Sequence, residues 1–182
     1  MKQFSFFTFI WTLLFIAASS FHSQAQGVTI RDSLESFTIW FPDQPDHSLH
    51  LSETEFGEIE ITRYQLNTLH ERDPNLLYVL TCTRYPDVIL SADSVELARE
   101  LLENLVENAL YRDGGRLIYQ DYISHRAYPG IIWRIDLPNN KHTVYARAFA
   151  VNNKIFTLVV LSPKNRSSSE QADQFFGSFT VF

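Results

Sequence analysis

The sequence predicts an α+β fold in which a largely antiparallel sheet is covered on both faces and is accompanied by one long and one short helix. Three observations lead there. Residues 141–162 read as two apolar segments joined at Asn152 and Asn153, and two consecutive Asn tolerate the positive φ angles of a two-residue type I′ turn. From Ala92 to Tyr111 the apolar residues Ala98, Leu101, Leu102, Leu105 and Ala109 recur at helical spacing, with Glu96, Arg99, Glu100, Glu103 and Glu107 away from them, the pattern of an amphipathic helix. Only short links separate the apolar segments between Leu117 and Ser162, so these strands form an antiparallel meander.

The Asn152–Asn153 turn sets a register that places Val151 opposite Lys154, Ala148 opposite Thr157 and Tyr145 opposite Val160. One face then carries Val144, Ala146, Ala148 and Ala150 beside Ile155, Val159 and Leu161, small residues that suit close approach of a helix. The other carries Tyr145, Arg147 and Phe149 beside Phe156, Leu158 and Val160. A hairpin apolar on both sides belongs inside a sheet with material over each face.

In chain order, a short lead containing Arg31-Asp32-Ser33 precedes a strand at Phe37–Phe41, which alternates and is stopped by Pro42. The turn-rich Asp43-Gln44-Pro45-Asp46 leads to strands at Leu49 to Thr54 and Ile59 to Leu66, with Ile59 and Ile61 facing opposite to Glu58 and Glu60. After a polar loop at residues 70–74, a strand runs from Leu76 to Tyr85 and is closed by Pro86. Ser91 or Asp93 can cap the long helix, which Gly114 and Gly115 end. Strands follow at Leu117 to Ser124 and Gly130 to Leu137, then the hairpin. Ser167 and Ser168 each stand three residues before Glu170 and Gln171, the capping-box pattern for a short helix through Phe176. Phe179 to Phe182 can add a last strand.

Of the 182 residues, the first 25 read as an export signal: Lys2, an apolar run from Phe6 to Ala18, and small residues Ser23 and Ala25 before a cleavage point at Gln26. The run is shorter than the roughly 20 residues of a spanning helix, and no later segment is apolar enough to span. Residues 26–182 are the length of a single domain. Without the leader, 14 basic and 21 acidic side chains give a formal net charge of −7. Nucleic acid is disfavoured as a partner, because phosphate binding relies on clustered Lys and Arg and no cluster is present. A lone Cys82 in Leu80-Thr81-Cys82-Thr83 is a buried thiol in a strand.

Phe37 to Pro42, the Tyr128-Pro129-Gly130 link, Arg147 and the run Phe175-Phe176-Gly177-Ser178-Phe179, set in this order of elements, resemble the exported proteins related to the PsbP extrinsic subunits of photosystem II and to the bacterial envelope protein DcrB. The resemblance implies an α-β-α sandwich serving as a binding or assembly module, with no shared catalytic residues.

The residues hold one constellation of interest. With Pro138 to Lys141 as a turn, Arg134 faces Tyr145; with Arg126 to Pro129 as the next, Asp121 faces Arg134. Asp121, Arg134, Tyr145 and Arg147 then share one face, either as cross-strand pairs worth roughly 0.2–1 kcal/mol each or as an anion or partner site using the Arg forks. His47 and His50 are three apart, which sends them to opposite faces of a strand, and no metal site is expected. Glu53, Glu55, Glu58 and Glu60 lack the pattern of a calcium loop. There is neither a Gly-x-Ser-x-Gly elbow nor a phosphate-cradling glycine loop. The expectation is a non-catalytic exported or periplasmic module without a cofactor, binding a protein or cell-envelope component. The alternative is a small-molecule-binding or weakly hydrolytic protein using the polar cluster.

Overall fold

The structure, a computed structural model, describes residues 27–54, 57–68, 73–138, 141–164 and 169–182. The expected leader, Glu55, most of the polar loop at residues 70–74, and the proposed caps Ser167 and Ser168 lie outside the described residues. Within them the chain forms β1 (Val28–Asp32), β2 (Phe37–Phe41), β3 (Asp46–Thr54), β4 (Gly57–Asn67), β5 (Leu77–Arg84), α1 (Val95–Asp113), β6 (Arg116–His125), β7 (Tyr128–Asp136), β8 (His142–Val151), β9 (Lys154–Pro163), α2 (Glu170–Ser178) and β10 (Thr180–Val181). A seven-stranded sheet runs β3-β4-β5-β9-β8-β7-β6, and a three-stranded sheet runs β1-β2-β10. All the strand pairs are antiparallel.

The hairpin sits where its two apolar faces require, with β9 at the centre of the large sheet and β8 beside it. Its register runs from Val151 opposite Lys154 through Tyr145 opposite Val160 as expected, but only Asn152 takes positive φ (56°), so the turn is not the expected type I′, which needs positive φ at Asn153 as well. The face of small residues, Ala146, Ala148 and Ala150, packs with Ile131, Trp133 and Ile135 of β7 under Ala98, Leu102, Val106 and Ala109 of α1. Alanines there let the helix come close without a void.

The opposite face differs from an α-β-α sandwich in one respect: the second layer is the small sheet together with α2, rather than a helix alone. Phe37, Ile39 and Phe41 of β2, Phe175 of α2, and Phe179 are buried against Tyr78, Leu80, Phe149, Phe156 and Leu158 of the large sheet. Edge-to-face rings knit the two, Phe41 to Phe175 at 5.0 Å and Phe37 to Phe156 at 5.7 Å between centroids. The short lead, in which the sequence predicts no element, forms β1, which adds to the outer edge of β2. Its VTIRD sequence shows only half-buried and exposed residues, too little pattern to announce a strand.

Both helix starts shift from expectation. Helix α1 starts at Val95 rather than about Ala92, and its N-terminal cap residue is Ser94 rather than Ser91 or Asp93. Residues 91–94 form a turn in which the Ser94 hydroxyl meets Ser91 (3.1 Å) instead of capping the helix. The end falls where glycine predicts: Gly114 adopts φ 61° and donates its N–H to the Leu110 carbonyl at 2.9 Å, a left-handed cap that costs glycine little. For α2 the cap is Ser169, whose hydroxyl accepts from Ala172 N at 3.1 Å. Ser178 closes the helix, donating to the Phe175 carbonyl and accepting from Trp40 N of β2 at 2.8 Å, which ties α2 to the small sheet. Among the described residues no helix is long and apolar enough to cross a membrane.

Candidate functional site

The second layer covers β5, β9 and the far half of β8, and ends at α2. Where it ends, the sheet face of β6, β7 and β8 opens into a cleft of about 180 Å³, lined chiefly by Tyr119, Ile132, Tyr145 and Arg147 from the sheet and by Asp173 and Phe176 from α2. Ala146 and Ala172 complete the walls, and Ser162 reaches the cleft but spends its hydroxyl on Asn75, at 2.6 Å. Asp173 and Phe176 meet because residues three apart in a helix share a face.

Strand pairing decides which predicted residues come together. Arg134 stands opposite Tyr145, as expected. Asp121 does not face Arg134. The turn between β6 and β7 is only Arg126-Ala127, with Arg126 at φ 56° and His125 opposite Tyr128, so Asp121 pairs with Ile132 and Tyr119 with Arg134. A register irregularity between Leu117 and Tyr119 then re-phases the start of β6. Asp121 is exposed and makes no ion pair among the described residues. Tyr119, Asp173 and Phe176 take the places around Arg147 that sequence reasoning left empty.

The two arginines have different environments. Arg134 lies with its guanidinium carbon 5.3 Å from the Tyr145 ring centroid and reaches Asp136 at 3.3 Å. Asp136, itself buried, also takes Lys164 at 3.0 Å and the Thr143 hydroxyl at 3.0 Å. Burial pushes its carboxyl up, and these bonds and the positive charges outweigh that and hold it below the usual carboxylate range. Arg134 thus belongs to an ion-pair group at the edge of the site, although its Nε is buried without a hydrogen-bond partner among the described residues. Arg147 packs its guanidinium carbon 4.8 Å over the Phe176 ring and has no ion pair or hydrogen bond among the described residues. Burial lowers its affinity for the proton, with the nearby Tyr119 and Asp173 opposing that shift. The Tyr145 hydroxyl is buried and lacks a hydrogen-bond partner among the described residues; burial first, against the charge of Arg134, raises its pKa.

Elsewhere His125 Nε2 and Trp133 Nε1 are also buried without a hydrogen-bond partner among the described residues, whereas the buried groups around Glu35 and Asn75 are paired and read as structural. Glu35, 1% exposed in the β1–β2 connection, receives Arg84 at 2.5 Å, Lys154 at 3.1 Å and the Cys82 thiol at 3.2 Å. Burial would raise its carboxyl, and those bonds together bring it below its ordinary value. The group pins the small sheet to β5 and β9, and no periodicity marks a glutamate in a polar turn as buried. Cys82 has its pKa raised by burial and by Glu35, which leaves it a poor nucleophile. Asn75 joins the Tyr78 and Ser169 side chains, at 2.5 and 2.7 Å. His47 and His50 pair with Tyr64 and Ile61 on opposite faces of the sheet, and among the described residues no three His, Cys, Asp or Glu gather closely enough for a metal. A larger groove of about 540 Å³ beside the start of α1, lined in part by Ser94, Ser124, Tyr128 and Asn152, has only uncharged walls.

No family profile and no curated protein matches the chain. Among solved structures, the solution structure of cyanobacterial PsbP (CyanoP) from Synechocystis sp. PCC 6803 superposes with a TM-score of 0.58 at 12% identity, covering 87% of this chain and 94% of that one. At that identity the likeness is one of architecture, and the chain has a PsbP-like fold.

Proposed function

We propose that the protein is a non-catalytic, exported binding or assembly module, a single domain from Gln26 onward, that engages a protein or cell-envelope component through the cleft between α2 and strands β6 to β8. The observation that carries this reading is Arg147. Its neighbour Arg134 is ion-paired with Asp136 within the fold, whereas Arg147 is held on Phe176, partly desolvated and with neither an ion pair nor a hydrogen bond among the described residues. A desolvated charge left unpaired costs stability, and a partner that supplies its hydrogen bonds removes that cost. The PsbP-like fold supports an accessory role by analogy only, and the leader-like first 25 residues support export.

The test is photo-cross-linking in cells from Tyr119, at the mouth of the cleft, with Glu100 on the exposed side of α1 as the control position. The expected result is a discrete envelope adduct from Tyr119, absent from Glu100 and lost in Arg147→Gln. Equal capture from both positions, or capture indifferent to Arg147, overturns the reading. Sequencing the exported protein from its N-terminus is expected to begin at Gln26.

A further inference from the structure

We infer that the cleft recognises a single carboxylate carried on an apolar or aromatic stem, an inference that deepens the binding-module reading and rests on it. The tyrosines supply an internal comparison. Tyr64 donates its hydroxyl to Asp32 at 2.9 Å, and Tyr78 meets Asp73 at 3.0 Å. In both cases a carboxylate takes the phenolic proton. Among the described residues Tyr145 has a buried hydroxyl with no such acceptor, and it lines the same cleft as a guanidinium with none. An acceptor is the one partner that both groups can share, and one carboxylate has the lone pairs to take N–H bonds from the Arg147 fork and the O–H of Tyr145.

The rest of the cleft narrows the class. Ile132, Ala172 and the Phe176 ring are apolar walls for a stem. The volume, about 180 Å³, lies below the roughly 300–1,000 Å³ of pockets for drug-sized ligands, so it admits one small acid or one terminal residue of a chain. Asp173 lies close enough to Arg147 to act on its charge, yet forms no ion pair with it. A second negative charge on the ligand would be repelled by Asp173 and by an acidic chain of net charge −7 without its leader. Those repulsions favour a monoanion over phosphate or sulfate.

Two sources share this chemistry, a free small acid and the C-terminal carboxylate of a polypeptide. Isotope-labelled protein is titrated with 3-phenylpropionate, with a hexapeptide ending in Phe as free acid and as amide, and with inorganic phosphate, reading the amide resonances of Tyr145 to Arg147. The expected result is binding of the carboxylates at least tenfold tighter than of the amidated peptide or phosphate, weakened at least tenfold in Arg147→Gln and severalfold in Tyr145→Phe. Tighter binding of the small acid assigns the free ligand, and tighter binding of the peptide acid assigns the chain terminus. Equal affinity for acid and amide, phosphate binding as tightly, or affinity retained in Arg147→Gln overturns the inference. No carboxylate binding together with Arg147-dependent cross-linking from Tyr119 overturns the ligand class alone and leaves the binding module standing.

Discussion

Replacing Arg147 by Met separates a binding group from a structural one, because the two roles predict opposite signs. Met keeps an unbranched stem of similar reach over the Phe176 ring. The guanidinium's contact with that ring, 4.8 Å to the centroid, contributes about 0.5–1 kcal/mol at a partly exposed position, and a thioether on an aromatic face returns about 0.3–1.5 kcal/mol. These roughly cancel. What remains is the removal of a partly desolvated charge that makes no ion pair among the described residues. Exchange of buried ionic groups for apolar ones of similar size is neutral to stabilising by about 1–4 kcal/mol. Arg147 retains some contact with water, so the expected gain is about 1–2 kcal/mol, or roughly 2–8 °C in Tm for a domain of this size. Urea unfolding followed by circular dichroism, without ligand, reads it, with an unchanged denaturant slope confirming that the native state is intact. A loss of more than about 1 kcal/mol would refute the reasoning, because it means that the guanidinium holds the fold together.

The other predictions concern the scaffold. Glu35→Ala leaves Arg84 and Lys154 facing each other without their shared carboxylate, and should cost about 3 kcal/mol, the lower end for breaking a buried pair, since Arg84 is 28% exposed and regains water; a loss below about 1 kcal/mol in urea unfolding contradicts the pinning role. His125 lies between Phe149 and Phe179 at 5.4 and 5.6 Å, and burial, with the charge of Arg126, lowers its pKa below 6.5. The unfolded chain therefore binds the proton first, so stability falls as the pH drops below about 6.5, by no more than about 1.4 kcal/mol per unit from this group. His125→Phe should flatten that slope between pH 7 and 5.5, above the range where Glu35 and Asp136 titrate, and an unaltered slope assigns it elsewhere. Gly130→Ala puts a methyl 2.5 Å from both the Ala148 carbonyl oxygen and the Phe149 ring; prying β7 from β8 costs about 1–3 kcal/mol, seen as a lower urea midpoint and faster amide exchange in β7.

Gly130 also explains part of the Tyr128-Pro129-Gly130 link. The strand passes so close to β8 that no side chain fits, a constraint that a turn-like tripeptide does not reveal. The Phe175 to Phe179 run resolves in the same way. Phe175 and Phe179 are buried core residues, Ser178 bonds the helix end to β2, and Phe176 alone turns toward the cleft. Helical spacing separates Phe175 from Phe176, but the surface that each one meets depends on where α2 docks.

What the sequence determined by itself was local and periodic: the hairpin register from two asparagines, the alanine seat for α1, the end of α1 at Gly114, and the pairing of Arg134 with Tyr145 through a short link. Each follows from backbone geometry acting over a few residues. Tertiary structure alone decided that the second layer includes a small sheet, that Glu35 is buried, that a two-residue turn moves Asp121 away from Arg134, and that Asp173 and Phe176 close the cleft around Arg147. These depend on contacts between segments far apart in the chain. The energy of such a contact comes from surface that both partners bury together, and neither partner's own sequence encodes it.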